Sequence, residues 1–114
     1  MPFSSFEDFA TSTNKWIRNE IIREPGLTIY VRRSVFGTRH IRGEGVDFDL
    51  ANLSARKPGN GALTRFLDKY EPQYGFYVEL IHNPRLAKYL ERRGYVIHSE
   101  VYGVPSMVKK RHTG

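Results

Sequence analysis

Residues 56–61 read Arg-Lys-Pro-Gly-Asn-Gly, between an alternating apolar segment and a stripe of apolar residues at helical spacing. Glycines there let the backbone turn tightly and present successive N–H groups. A helix starting directly afterwards adds the positive end of its dipole. Together these features suit an anion such as phosphate or pyrophosphate, with Arg56 and Lys57 adding charge at the rim. An ordinary strand-to-helix turn accounts for the same residues. The segment is not a P-loop, because Gly61 is followed by Ala62 rather than by Lys and Ser or Thr. It also lacks the three-glycine spacing of a dinucleotide-binding turn.

The elements around this loop follow from periodicity. Ser4 or Ser5 with Glu7 or Asp8 forms a capping-box pattern. Phe6, Phe9, Thr13, Trp16 or Ile17, and Ile21 then recur at helical spacing, which predicts an amphipathic helix over 5–24, stopped by Pro25-Gly26. Leu27, Ile29 and Val31 alternate with polar residues and predict a strand. A second short strand is expected over 35–41, and a third over 46–54, where Val46, Phe48 and Leu50 alternate with Asp47 and Asp49. Beyond the loop, Leu63, Phe66, Leu67 and Tyr70 mark a helix, and FYVELI at 76–81 reads as a buried strand. Asn83-Pro84 opens another helix that Gly94 ends, and strands are expected over 95–101 and 105–111. The predicted order is α-β-β-β-α-β-α-β-β, an α/β (α+β) domain whose mixed sheet of about six strands carries helices on both faces. The strands flanking the loop should be parallel.

At 114 residues the chain (1–114) is expected to be one small domain, and 39% hydrophobic residues suffice for one core. There are no cysteines, so disulfides and thiolate metal sites are excluded. His40, His82, His98 and His112 have no ligand-like spacing, and no metal is expected. No signal peptide or membrane span is visible, and a soluble, cytoplasmic protein is expected. The net charge of +6 points to contact with a polyanion, or only to a solvated basic end at 109–114.

Two motifs taken together carry a resemblance. Arg-x-x-Gly-x-Gly before a helix is followed, after the strand FYVELIH, by NPRLAKYLERRGY, in which Asn83 opens a helix and Gly94-Tyr95 ends it. This combination over 46–96 resembles the GCN5-related N-acetyltransferase (GNAT) superfamily. The phrasing of the second motif is similar to the compact GNAT-like proteins of bacteriophages. The resemblance implies two central parallel strands, 46–54 and 76–81, that splay apart to hold acetyl-CoA. It places the pyrophosphate on the amides near Gly59, Asn60, Gly61 and Ala62, beside Arg56 and Lys57, with Asn83 as a polar contact that also serves as helix cap. It implies transfer of acetyl to a primary amine of a protein lysine, a protein N-terminus or a small molecule. Glu79 is then the foremost candidate base, ahead of Asp47, Asp49 and His82, although an exposed or salt-bridged Glu79 fits the sequence equally. The family's acid, a Tyr seven residues after the Asn, has Leu90 at its place here, with Tyr89 one residue earlier. One residue on a helix turns a side chain by about 100°, so Tyr89 is either the acid or a packing tyrosine. Pro58 removes one N–H from the loop, and one N-terminal helix stands where the family has a strand and two helices. Those departures suit an alternative, a non-catalytic GNAT-like module that binds a protein partner. Nucleic-acid binding through Arg85, Lys88, Arg92, Arg93 and 109–111 is a third and least expected reading.

Overall fold

A computed structural model describes residues 4–12, 19–24, 26–33, 45–55 and 61–111. Its elements are α1 (Ser4–Thr11), β1 (Asn19–Glu24), β2 (Leu27–Arg33), β3 (Phe48–Ala55), α2 (Ala62–Tyr70), β4 (Phe76–Val78), α3 (Pro84–Arg92), β5 (Val96–Val101) and β6 (Val104–Lys109). The result is a mixed α+β fold in which six strands form one open sheet, ordered β1-β2-β3-β4-β6-β5. Every neighbouring pair is antiparallel except β3 and β4, which run parallel on either side of α2.

The helix expected over 5–24 is corrected. Helix α1 ends at Thr11, and residues 19–24 are a strand that pairs with β2 from Asn19↔Arg32 to Glu24↔Leu27. The neighbours Ile21 and Ile22 explain why: Ile22 is fully buried while Ile21 is 49% exposed. Opposite burial of adjacent residues is the period of a strand, and β-branched side chains favour that backbone. The expected helix stop coincides with the passage from β1 to antiparallel β2, where Gly26 has a φ of 79°. The strand expected over 35–41 lies outside the described residues. Among the described residues, the three strands before α2 are therefore 19–24, 27–33 and 48–55, and the first of these takes residues assigned to the expected helix.

One cluster of buried side chains unites the layers. Phe6 and Phe9 of α1, Phe66, Leu67 and Tyr70 of α2, and Leu90 of α3 pack on Ile29, Val31, Phe48, Leu50, Phe76, Val78 and Met107 of the sheet. Phe6 is the hub, edge-on to Phe48 and Phe66 at centroid separations of 5.4 and 4.9 Å. All three described helices thus share one core against one sheet face, where helices on both faces were expected. Arg33, at the end of β2, donates to the Phe9 carbonyl (2.6 Å) and stacks on its ring, closing the C-terminal end of α1. At the far edge, Tyr102 and Gly103 both take positive φ (50° and 79°), as a two-residue hairpin turn with native twist requires.

Candidate functional site

Strands β3 and β4 pair over only three residues, from Phe48↔Phe76 to Leu50↔Val78. One further bond, from the Glu79 N–H to the Leu50 carbonyl (2.9 Å), ends their contact. Both chains are irregular just beyond this point. In β3, the register with β2 moves from Tyr30↔Ala51 to Thr28↔Ser54, so β3 carries an extra residue there. Such a bulge bends a strand and increases its twist. After β4, Leu80 takes a left-handed φ of 43°, and its N–H and that of Ile81 both go to β6, on Ser106 Oγ (2.9 Å) and the Pro105 carbonyl (2.7 Å). The strand expected over 76–81 accordingly ends at Val78.

Of the loop residues singled out above, Arg56, Lys57, Pro58, Gly59 and Asn60 lie outside the described residues. Gly61 and Ala62 are described and open α2. Gly61 is its N-cap at φ 83°, ψ 6°, a conformation that glycine adopts without strain, and no side chain caps the helix there. The first turn of α2 carries no acidic residue, so the positive end of its dipole is not offset by one. Asn83 is the N-cap of α3, its Oδ1 accepting from the Arg85 N–H at 2.9 Å, with Pro84 behind it. The two helices touch where Thr64, in the first turn of α2, and Tyr89, in the second half of α3, share a hydroxyl–hydroxyl hydrogen bond of 2.6 Å.

On the sheet face away from the helices, Arg32 stands directly opposite Asp49 in the β2–β3 register. Its guanidinium lies 3.5 Å from the Asp49 carboxylate and is ion-paired with Glu79. Asp49 is 4% exposed. Three chain segments therefore bring two carboxylates onto one guanidinium where the β3–β4 pairing ends. Glu79 is thus a salt-bridged residue, as one sequence reading allowed, and Asp49 joins it. The other two acidic or basic candidates are elsewhere: Asp47 is engaged by the Gly75 N–H (2.8 Å) and Arg111 (2.6 Å), and His82 is exposed. Among the described residues, no group of three His, Cys, Asp or Glu is placed to hold a metal ion. Sequence reasoning missed Arg32, Thr64 and Ser106, whose partners are set by strand register and helix contact rather than by local spacing.

Several basic residues are occupied internally. Arg93 donates to Glu71 through Nε (3.2 Å) and Nη2 (2.8 Å) and to Asp68 (2.7 Å). Lys109 reaches Glu71 (3.2 Å) and the Arg93 carbonyl (2.6 Å). Hydrogen bonding to Glu71 raises the Arg93 pKa above its ordinary value, and burial, followed by the Glu71 charge, raises that of Tyr95. Arg85, Lys88, Arg92 and Lys110 are exposed.

No known protein family, curated protein or solved structure matches this chain. Among the described residues, no helix is long and apolar enough to cross a membrane.

Proposed function

We propose that this chain is a GNAT-type N-acetyltransferase of the compact bacteriophage kind, which moves acetyl from acetyl-CoA to a primary amine of a protein or small molecule. The observation that supports the reading is the one parallel strand pair among the described residues, β3 and β4, whose pairing spans three residues and whose connection contains a glycine-entered helix. The residues present suit an acyl-CoA on two counts. Beyond Leu50 the β4 side of β3 loses its strand partner, so an amide-rich arm can supply one. At the start of α2, a left-handed glycine and a first turn without acidic residues suit a pyrophosphate, with Arg56, Lys57, Gly59 and Asn60 preceding it in sequence. Asn83, at the start of α3, is the further polar contact in this reading.

Acetyl transfer forms a bond from the amine nitrogen to the acyl carbon and breaks the carbon–sulfur bond. The amine must lose a proton and the departing thiolate must gain one. Glu79, directly or through a water, is the proposed proton acceptor, and Tyr89 the proposed donor. The cytoplasm, of the host cell if the protein is phage-encoded, is the proposed setting. Titration with millimolar acetyl-CoA in a calorimeter, paired with thermal melting, tests the cofactor assignment: heat and a raised melting temperature are expected, and their joint absence sinks it.

One pair of contacts favours the second reading, a non-catalytic binding module. Glu79 is paired with Arg32, and the Tyr89 hydroxyl is bonded to Thr64. Acetyl-CoA binding without transfer to any member of an amine panel selects that reading.

A further inference from the structure

We infer that Ser106 is a positioning residue: its buried hydroxyl holds Leu80 in a left-handed conformation, parts β4 from β3, and fixes where Glu79 stands. The inference about the backbone is independent of the proposed function, and only its consequence for acetyl-CoA rests on that reading.

Leucine at a φ of 43° is strained, because its Cβ crowds the backbone. Such a conformation persists only where its surroundings over-determine it. Burial of the leucine is not what holds it, since the side chain is 46% exposed. The hydrogen bonds are. In a regular strand, successive N–H groups point to alternate sides, so the donors of Glu79 and Ile81 would both face β3. Glu79 does donate to Leu50 of β3, but Ile81 donates to Pro105 of β6. Between them Leu80 donates to Ser106 Oγ at 2.9 Å. Two consecutive donors are therefore committed to β6, and the chain cannot rejoin β3.

Ser106 is suited to this task. It is 3% exposed, and a buried hydroxyl is costly without a partner. It flanks Met107, which pairs with Val78, so its side chain lies on the sheet face opposite the core. The ladder on its other side is also irregular: β5 gains a residue between Ile97↔Met107 and Ser99↔Ser106. A side-chain acceptor thus serves at the point where β6 lacks a regular ladder on either side. Glu79 sits between the Leu50 anchor and the Ser106 anchor, so the serine sets the Glu79 position through the backbone.

The test is amide exchange and backbone NMR on the full chain, with acetyl-CoA titrated into the same samples. In Ser106→Ala, the Leu80 amide should exchange roughly tenfold faster or more, the scale of one lost hydrogen bond. The strong intraresidue HN–Hα contact that marks a positive φ should disappear, and acetyl-CoA affinity should fall by about tenfold. Ser106→Thr, which keeps the hydroxyl, should restore all three. Leu80→Gly, which removes the strain, should rescue Ser106→Ala, and this pair serves where the single alanine variant does not fold. Retention of slow exchange and positive φ at Leu80 in Ser106→Ala overturns the inference, as does failure of threonine to restore them. If the unaltered chain does not bind acetyl-CoA, the proposed function fails while the Leu80 readouts still decide the role of Ser106.

Discussion

Replacing Glu71 by Gln tests whether the far ends of α2 and α3 are clamped by a buried ion network or merely decorated by surface charge. The Glu71 side chain is 10% exposed and receives two hydrogen bonds from Arg93 and one from Lys109. Removing one partner of a buried pair costs about 3–5 kcal/mol. Here two features lower that figure. Arg93 keeps its bond to Asp68, and Lys109 keeps the Arg93 carbonyl. Glutamine also retains one acceptor oxygen. The expected loss is therefore about 2 kcal/mol, between an ordinary charged hydrogen bond and a broken buried pair. For 114 residues the unfolding entropy is about 0.24 kcal/mol/K, so the melting temperature should fall by about 8 °C. Asp68→Asn is the internal control. That carboxylate is 64% exposed, and its bond to the same arginine should be worth under about 1 kcal/mol. Calorimetric melts at low and high salt measure both, and only the Asp68 effect should shrink markedly in about 1 M salt. If Glu71→Gln melts within a degree or two of the unaltered chain, or if salt abolishes its effect, the buried-clamp reasoning is wrong. The clamp matters to the proposed site because it fixes the C-terminal ends of the two helices whose N-terminal ends carry Gly61 and Asn83.

Two further outcomes are expected. Gly61→Ala should remain folded but lose about 1–2 kcal/mol, because alanine is strained at a φ of 83° while its Cβ meets only the movable end of Arg65 at 3.2 Å; a thermal melt equal to that of the unaltered chain would contradict the left-handed entry to α2. Tyr70→Phe removes the 2.7 Å bond to Glu7, which, ahead of Lys69, holds the Glu7 pKa below its ordinary 4.5. A depressed folded-state pKa stabilises above the unfolded value and is lost as pH falls through the folded one. The stability gap between Tyr70→Phe and the unaltered chain should therefore be largest near neutral pH and narrow below pH 4.5; a gap that widens on acidification refutes the assignment.

The C-terminal half of the fold was legible because its signals are local. Asn83 with Pro84 starts α3, Gly94 follows its end, and two strands are joined by a tight turn at Gly103. The N-terminal half misleads for an equally local reason. Ile21 falls on the helical stripe begun by Phe6 and Phe9, and nothing near it in sequence says that the chain pairs with β2 instead. Pro25-Gly26 ends a helix or reverses a hairpin with equal ease. The site divides in the same way. Glu79 is visible as a carboxylate within an apolar run, and Gly61 as a glycine before a helical stripe. Arg32 and Ser106 are invisible, because one acquires its partners from the β2–β3 register and the other from the β4–β6 register.

That nonlocal contribution changes how Glu79 should be understood. A guanidinium stays charged across the physiological range, so Arg32 serves both the Asp49 and the Glu79 carboxylates. The arrangement has a structural use, since it supplies the buried Asp49 with a cation. It also bears on the proposed reaction. Glu79 can receive a proton from an amine only by sharing or releasing Arg32, and the Arg32 side chain, 36% exposed, has room to move while the buried Asp49 does not. Removal of the Arg32 charge therefore separates the two proposed functions. In an acetyltransferase it frees Glu79 and alters the pH dependence of turnover, whereas in a binding module it alters stability alone.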